Sequence, residues 1–85
     1  MARREKVLER ARNSPRGWRF EELRSLLERF GFVIYSRSGS HFYAVHPDSD
    51  VKPGLVKHSR ELPPGYVRNA VRAIDEVKAK QRGRK

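Results

Sequence analysis

Hydrophobic positions recur along this chain with two different periods, and the change of period marks out its elements. From Phe20 to Phe30 the apolar residues Phe20, Leu23, Leu26, Leu27 and Phe30 fall at helical spacing. Glu21 and Glu22 sit in the first turn, where the helix dipole favours acid. Arg24, Glu28 and Arg29 fall on the wet side, and Gly31 is a stop signal. Upstream, Val7, Leu8 and Ala11 give a thinner stripe that predicts a short helix over Arg3 to Asn13, broken by Asn13-Ser14-Pro15-Arg16-Gly17. Trp18 follows the break and is expected in the core or as a lid over it. Downstream, Pro63-Pro64-Gly65 announces a last helix with Val67, Ala70, Val71, Ile74 and Val77 on its apolar side and Arg68, Arg72 and Lys78 on its polar side.

Between these helices the pattern alternates. Phe32 to Arg37 predicts a first strand, Ser40 to His46 a second, and Leu55-Val56-Lys57-His58 a short third. The Ser38-Gly39 link makes an antiparallel hairpin of the first two. Alternation puts His41, Tyr43 and Val45 on one face and Phe42 and Ala44 on the other; both faces carry apolar residues, and the favoured placement has Phe42 and Ala44 inward with His41 and Tyr43 on the partner side. His46-Pro47-Asp48-Ser49-Asp50 has the composition of a turn. The expected order is α-α-β-β-β-α, an α+β fold with a three-stranded antiparallel sheet packed on helices. Three segments are expected: 1–17 as an N-terminal helical extension, 18–77 as the domain, and 78–85 as a frayed basic tail.

Charge narrows the function. The 85 residues carry a formal net charge of +10, with 36% hydrophobic and 35% charged positions. One small domain this basic calls for a polyanionic partner, and nucleic acid is the commonest. No cysteine is present, which removes disulfides and thiolate chemistry. No apolar run approaches the roughly 20 residues of a membrane span, and no apolar stretch follows the basic start as a signal peptide would require. A cytoplasmic protein without a membrane partner is expected. His46, Asp48 and Asp50 lack the convergent ligands of a metal site, so neither metal nor other cofactor is expected.

The candidate chemistry lies in Arg37-Ser38-Gly39-Ser40-His41-Phe42-Tyr43. Gly39 allows the chain to reverse, and His41 stands at the mouth of the following strand, rigidly held yet within reach of a ligand. Imidazole is the side chain suited to proton exchange near neutral pH.

These residues resemble the HicA-type toxins. Glu21-Glu22-Leu23, Leu26-Leu27 and Phe30-Gly31-Phe32 look like that family's entry from helix to strand. Gly39-Ser40-His41 matches its most specific motif, and His58-Ser59, Glu61-Leu62 and Pro64-Gly65 match its C-terminal half. The resemblance runs from about Phe20 to Ile74. Where the family's third strand usually has a proline shortly before its histidine, Val56-Lys57 stands here. The resemblance implies a fold similar to a double-stranded-RNA-binding domain, mRNA cleavage, a HicB-type antitoxin partner, and a catalytic role for His41.

RNA brings its own nucleophile, the 2′-hydroxyl, so metal-free cleavage needs a base, a cation near the phosphate and a proton source. His41 is the candidate base or acid, and His58 a second acid-base group if the third strand brings it near. Arg37 or Lys57 would stabilise charge at phosphorus, and Ser40 or the turn's amides would hold a phosphate oxygen. Ser38, Gly39, Tyr43 and Arg60 complete the expected RNA contacts. The rival readings are a non-catalytic RNA-binding module of the same fold and a DNA-binding module using Arg68 and Arg72 of the last helix. The sequence leaves oligomeric state open.

Overall fold

The computed structural model describes residues 2–83. Six elements follow in the expected order: α1 (Arg3–Asn13), α2 (Phe20–Arg29), β1 (Val33–Ser38), β2 (His41–Val45), β3 (Gly54–Val56) and α3 (Pro64–Gly83). The strands form one antiparallel sheet in the order β1-β2-β3; α2 and α3 pack against it, and α1 packs on those two helices. The expected α+β architecture is therefore the observed one. No helix among the described residues is long and apolar enough to cross a membrane.

Local chemistry explains the helix ends. The Glu22 carboxylate accepts the Arg19 N–H at 3.1 Å, occupying one of the unpaired donors at the start of α2. At the other end Gly31 takes a φ of +91°. Its N–H reaches the Glu28 carbonyl, and the Phe32 N–H reaches that of Leu27, at 3.0 and 3.1 Å. This is a Schellman closure, which turns the chain from α2 straight into β1. Pro64 opens α3, where a missing N–H costs nothing.

The core lies between sheet and helices. Leu23, Leu26 and Leu27 of α2 and Val67, Ala70, Ile74 and Val77 of α3 are buried against Ala44 and Leu55 of the sheet. Ala73, which the expected stripe of α3 omits, is buried too. Leu8 and Ala11 of α1 belong to the same core, so this helix leans on the rest of the domain. Two ion pairs fasten α1 across α3. Arg12 grips Asp75 through two nitrogens at 2.7 and 2.9 Å, and Lys78 donates to Glu5 at 2.7 Å. Trp18 is buried, its indole N–H donating to the Ser14 carbonyl at 2.8 Å while the Arg10 guanidinium lies 4.2 Å from its ring.

Three expectations change. β3 ends at Val56, so Lys57 and His58 are not in a strand, because the ladder to β2 runs out where His41 pairs with Val56. α3 continues to Gly83 through most of the segment read as a frayed tail; the tail's residues 84 and 85 lie outside the described residues. The loop after β2 is a turn, but His46, Asp48 and Ser49 are buried. Glu76 of α3 draws that loop down, its carboxylate accepting the Ser49 hydroxyl at 2.7 Å and the Asp50 N–H at 2.8 Å.

Candidate functional site

The outer face of the sheet, away from the helices, carries the candidate site. Direct cross-strand partners share a face, so Tyr35 opposite Tyr43 and Val33 opposite Val45 lie outside, while Ile34 opposite Ala44 lies inside. Their outward placement shows in exposure: Val33 and Tyr35 are 53% and 48% accessible, the large hydrophobics most open to solvent. The rings of Tyr35 and Tyr43 stack with centroids 5.6 Å apart. His41 falls on the same face by alternation, two residues before Tyr43.

The hairpin fixes His41 through a bulge. Ser36 pairs with Phe42 and Ser38 with His41, so Arg37 is the extra residue on β1. Arg37 shares the parity of Val33 and Tyr35, and its guanidinium carbon lies 5.3 Å from the Tyr43 ring centre on the outer face. Gly39, with φ of +51°, completes the reversal, and no atom lies within 4 Å of where its β-carbon would be. The Ser40 carbonyl accepts the Lys57 N–H at 2.8 Å, tying the turn to the strand end opposite.

Around His41 the surface dips into a hollow of about 240 Å³, walled by Arg37, His41, Tyr43, Lys52, Gly54 and Tyr66 among others. Its charged lining is cationic, with no carboxylate. The His41 side chain is exposed and makes no hydrogen bond among the described residues. An imidazole in this position is free to exchange a proton with a bound ligand while the flanking cations hold an anion.

The expected site residues separate into two groups. Arg37, His41 and Tyr43 meet in the hollow, and Ser38, Gly39 and Ser40 form the turn that positions them. Lys57, His58 and Arg60 are exposed but outside the wall of the hollow. The Lys57 ammonium points towards Phe20, 5.9 Å from its ring centre. His58 folds into its own bend, where Nδ1 accepts the Arg60 N–H at 3.1 Å. Sequence reasoning missed Lys52, Gly54 and Tyr66. Lys52 and Gly54 share strand parity with the outer face, but only the observed register of Gly54 opposite Tyr43 shows it. Tyr66 arrives from α3, whose docking no local pattern specifies.

His46, weighed above as a metal ligand, holds the loop instead: its Nδ1 accepts the Asp48 N–H at 2.9 Å, and its ring packs on Phe32 at 5.1 Å. Among the described residues no cluster of three His, Cys, Asp or Glu side chains is placed to hold a metal ion.

Comparison with curated proteins and with solved structures gives no match. Comparison with protein families matches residues 20–76 to the HicA toxin of bacterial toxin–antitoxin systems, from the first residue of α2 into α3, a span that includes the His41 turn. With two thirds of its length so matched, the chain belongs to the HicA toxin family, which implies a cognate antitoxin as its partner.

Proposed function

We propose that this protein is an endoribonuclease that cleaves mRNA in the cytoplasm without a metal ion, using His41 for proton transfer. The observation that carries this reading is an exposed, unengaged imidazole in a hollow lined by Arg37 and Lys52. In the proposed reaction the 2′-hydroxyl oxygen of RNA bonds to the adjacent phosphorus and the bond from phosphorus to the 5′ oxygen breaks. The products are a 2′,3′-cyclic phosphate and a 5′-hydroxyl. His41 takes the 2′ proton or delivers one to the leaving oxygen, and water completes the other transfer. Arg37 and Lys52 face the charge that builds on the phosphoryl oxygens, where fixed donors stabilise the transition state most. The Tyr35–Tyr43 pair offers a ring face to a neighbouring base.

A HicB-type antitoxin would silence this activity by covering the hollow, and the net charge of +10 favours an acidic covering surface. The test is cleavage of RNA, and of the same strand with 2′-deoxyribose, by wild type and His41→Ala in EDTA. Wild type is expected to cut only the ribose strand, and the variant to be slower by about 10²–10⁴-fold, the usual worth of one acid-base group. Equal cutting by both proteins refutes the role of His41. Binding of RNA by both without cutting favours a non-catalytic RNA-binding module.

A further inference from the structure

The His41 hollow does not end at Tyr66. A second hollow, about 480 Å³, opens on the far side of Gly54 and Tyr66 and is walled by these two together with Pro63, Arg68, Asn69 and Arg72. The two hollows share Gly54 and Tyr66, so they form one trough running from the hairpin turn to the first turns of α3. Its cationic side chains are Arg37, Lys52, Arg68 and Arg72, the His41 imidazole lies among its walls, and no carboxylate lines either half.

Among the described residues, four cations outside the trough have ion-pair partners. Arg10 pairs with Glu22, Arg12 with Asp75 and Glu9, Arg24 with Glu28, and Lys78 with Glu5. Among the described residues Arg37, Lys52, Arg68 and Arg72 have no such partner, although all four are exposed. Arg68 and Arg72, four apart on α3, present their guanidinium groups on the same side of the helix. Four cations gathered along one trough, with no carboxylate in its lining, match a ligand that carries several negative charges.

Gly54 adds a steric argument. Its backbone does not take a positive φ, and a β-carbon there would meet the Phe42 carbonyl and Tyr66 Cε1 at an ordinary 3.8 Å. The fold therefore does not require glycine at this position. As the partner of Tyr43 in the sheet, residue 54 faces the outer side, and a larger side chain would stand in the passage between the two hollows.

We propose that single-stranded RNA lies along this trough, with the scissile phosphate at His41 and flanking phosphates held by Arg68 and Arg72 beyond the Gly54–Tyr66 saddle. The proposal rests on the ribonuclease reading above and adds a flanking subsite to it. Asn69, half-buried between the two arginines in sequence, offers both a donor and an acceptor to a 2′-hydroxyl or a base edge.

Binding to fluorescent 2′-O-methyl RNA, which lacks the free nucleophile, tests the subsite separately from cleavage. Strands of about 10 and about 3 nucleotides are compared over a range of salt, since single-stranded sites are commonly several nucleotides long. Wild type is expected to bind the longer strand more tightly. Arg68→Ala/Arg72→Ala is expected to lose most of that gain and to lower the salt slope by about 1.4, or about 0.7 for each lost phosphate contact. Gly54→Leu, which keeps both arginines, is expected to lose the gain as well, with thermal melts confirming that each variant is folded. Wild-type affinity and slope in both variants would overturn the proposal. So would variants that keep RNA binding but lose the antitoxin, because the trough would then be a protein-docking surface. A wild-type protein that shows the length dependence yet cuts no RNA supports the trough and overturns the ribonuclease reading instead.

Discussion

Replacing His46 with alanine should unfold the protein more readily without touching the candidate site. The side chain is 8% exposed and holds two neighbours. Its Nδ1 accepts the buried Asp48 N–H at 2.9 Å, and its ring meets Phe32 at 5.1 Å between centroids. Its Nε2 edge also fills the space over Gly31, lying 3.1 Å from where a β-carbon there would be. Leaving the amide unpaired costs about 1–3 kcal/mol, and losing the ring pair costs a further ~0.5–1.5 kcal/mol. A combined loss near ~3 kcal/mol corresponds to a fall in Tm of about 12–24 °C for a domain of this size. His46→Asn separates the contributions. An asparagine oxygen can accept the N–H two residues on, as in an Asx turn, so this variant should recover roughly the 1–3 kcal/mol of the hydrogen bond. Circular-dichroism melts and urea titrations of the three proteins measure both effects. Cleavage assayed at a temperature where each is folded should stay at the wild-type rate. An alanine variant within about 0.5 kcal/mol of wild type, the range of an ordinary surface change, would refute a load on this imidazole. An asparagine variant no better than alanine would refute the hydrogen-bond share.

Two further outcomes follow from the same structure. Stability should fall in acid: the hydrogen bond from Arg12 holds Asp75 below its ordinary 3.8, and that from the Ser49 hydroxyl holds Glu76 below its ordinary 4.5. Both folded-state values lie below the unfolded ones, so this stabilisation is complete above the ordinary range and is lost as pH drops through the folded values; Tm against pH should show that limb, and Asp75→Asn should shrink it. Trp18→Phe keeps a buried ring but loses the indole donation to the Ser14 carbonyl at 2.8 Å; a loss of about 1 kcal/mol, seen as a Tm lower by about 4–8 °C, is expected, and an unchanged Tm would show that this bond contributes nothing net.

The contrast between the three histidines shows where sequence reading succeeds. His41 could be placed because everything that positions it is local: a glycine turn, a strand pattern and an alternation of two. His46 stands in a segment whose composition resembles a solvated turn, and its burial comes from Phe32 and from the Glu76 clamp, neither of them adjacent in the chain. His58 was assigned to a strand on its apolar neighbours, yet the ladder stops at Val56 and the imidazole accepts from the Arg60 amide in its own bend.

By itself the sequence determined the order of the elements, the apolar faces of α2 and α3, the hairpin and the sharing of one strand face by His41 and Tyr43. Each depends on residues a few positions apart, where spacing alone dictates which side chains share a side. Tertiary structure decided what surrounds His41. The β2–β3 register sets Gly54 opposite Tyr43, and the docking of α3 delivers Tyr66, Arg68 and Arg72 to the same trough. Both depend on burying Leu55, Val67 and Ala70 in one core. Register and docking are fixed by that shared burial between segments far apart in the chain, and no local pattern of polar and apolar residues contains it.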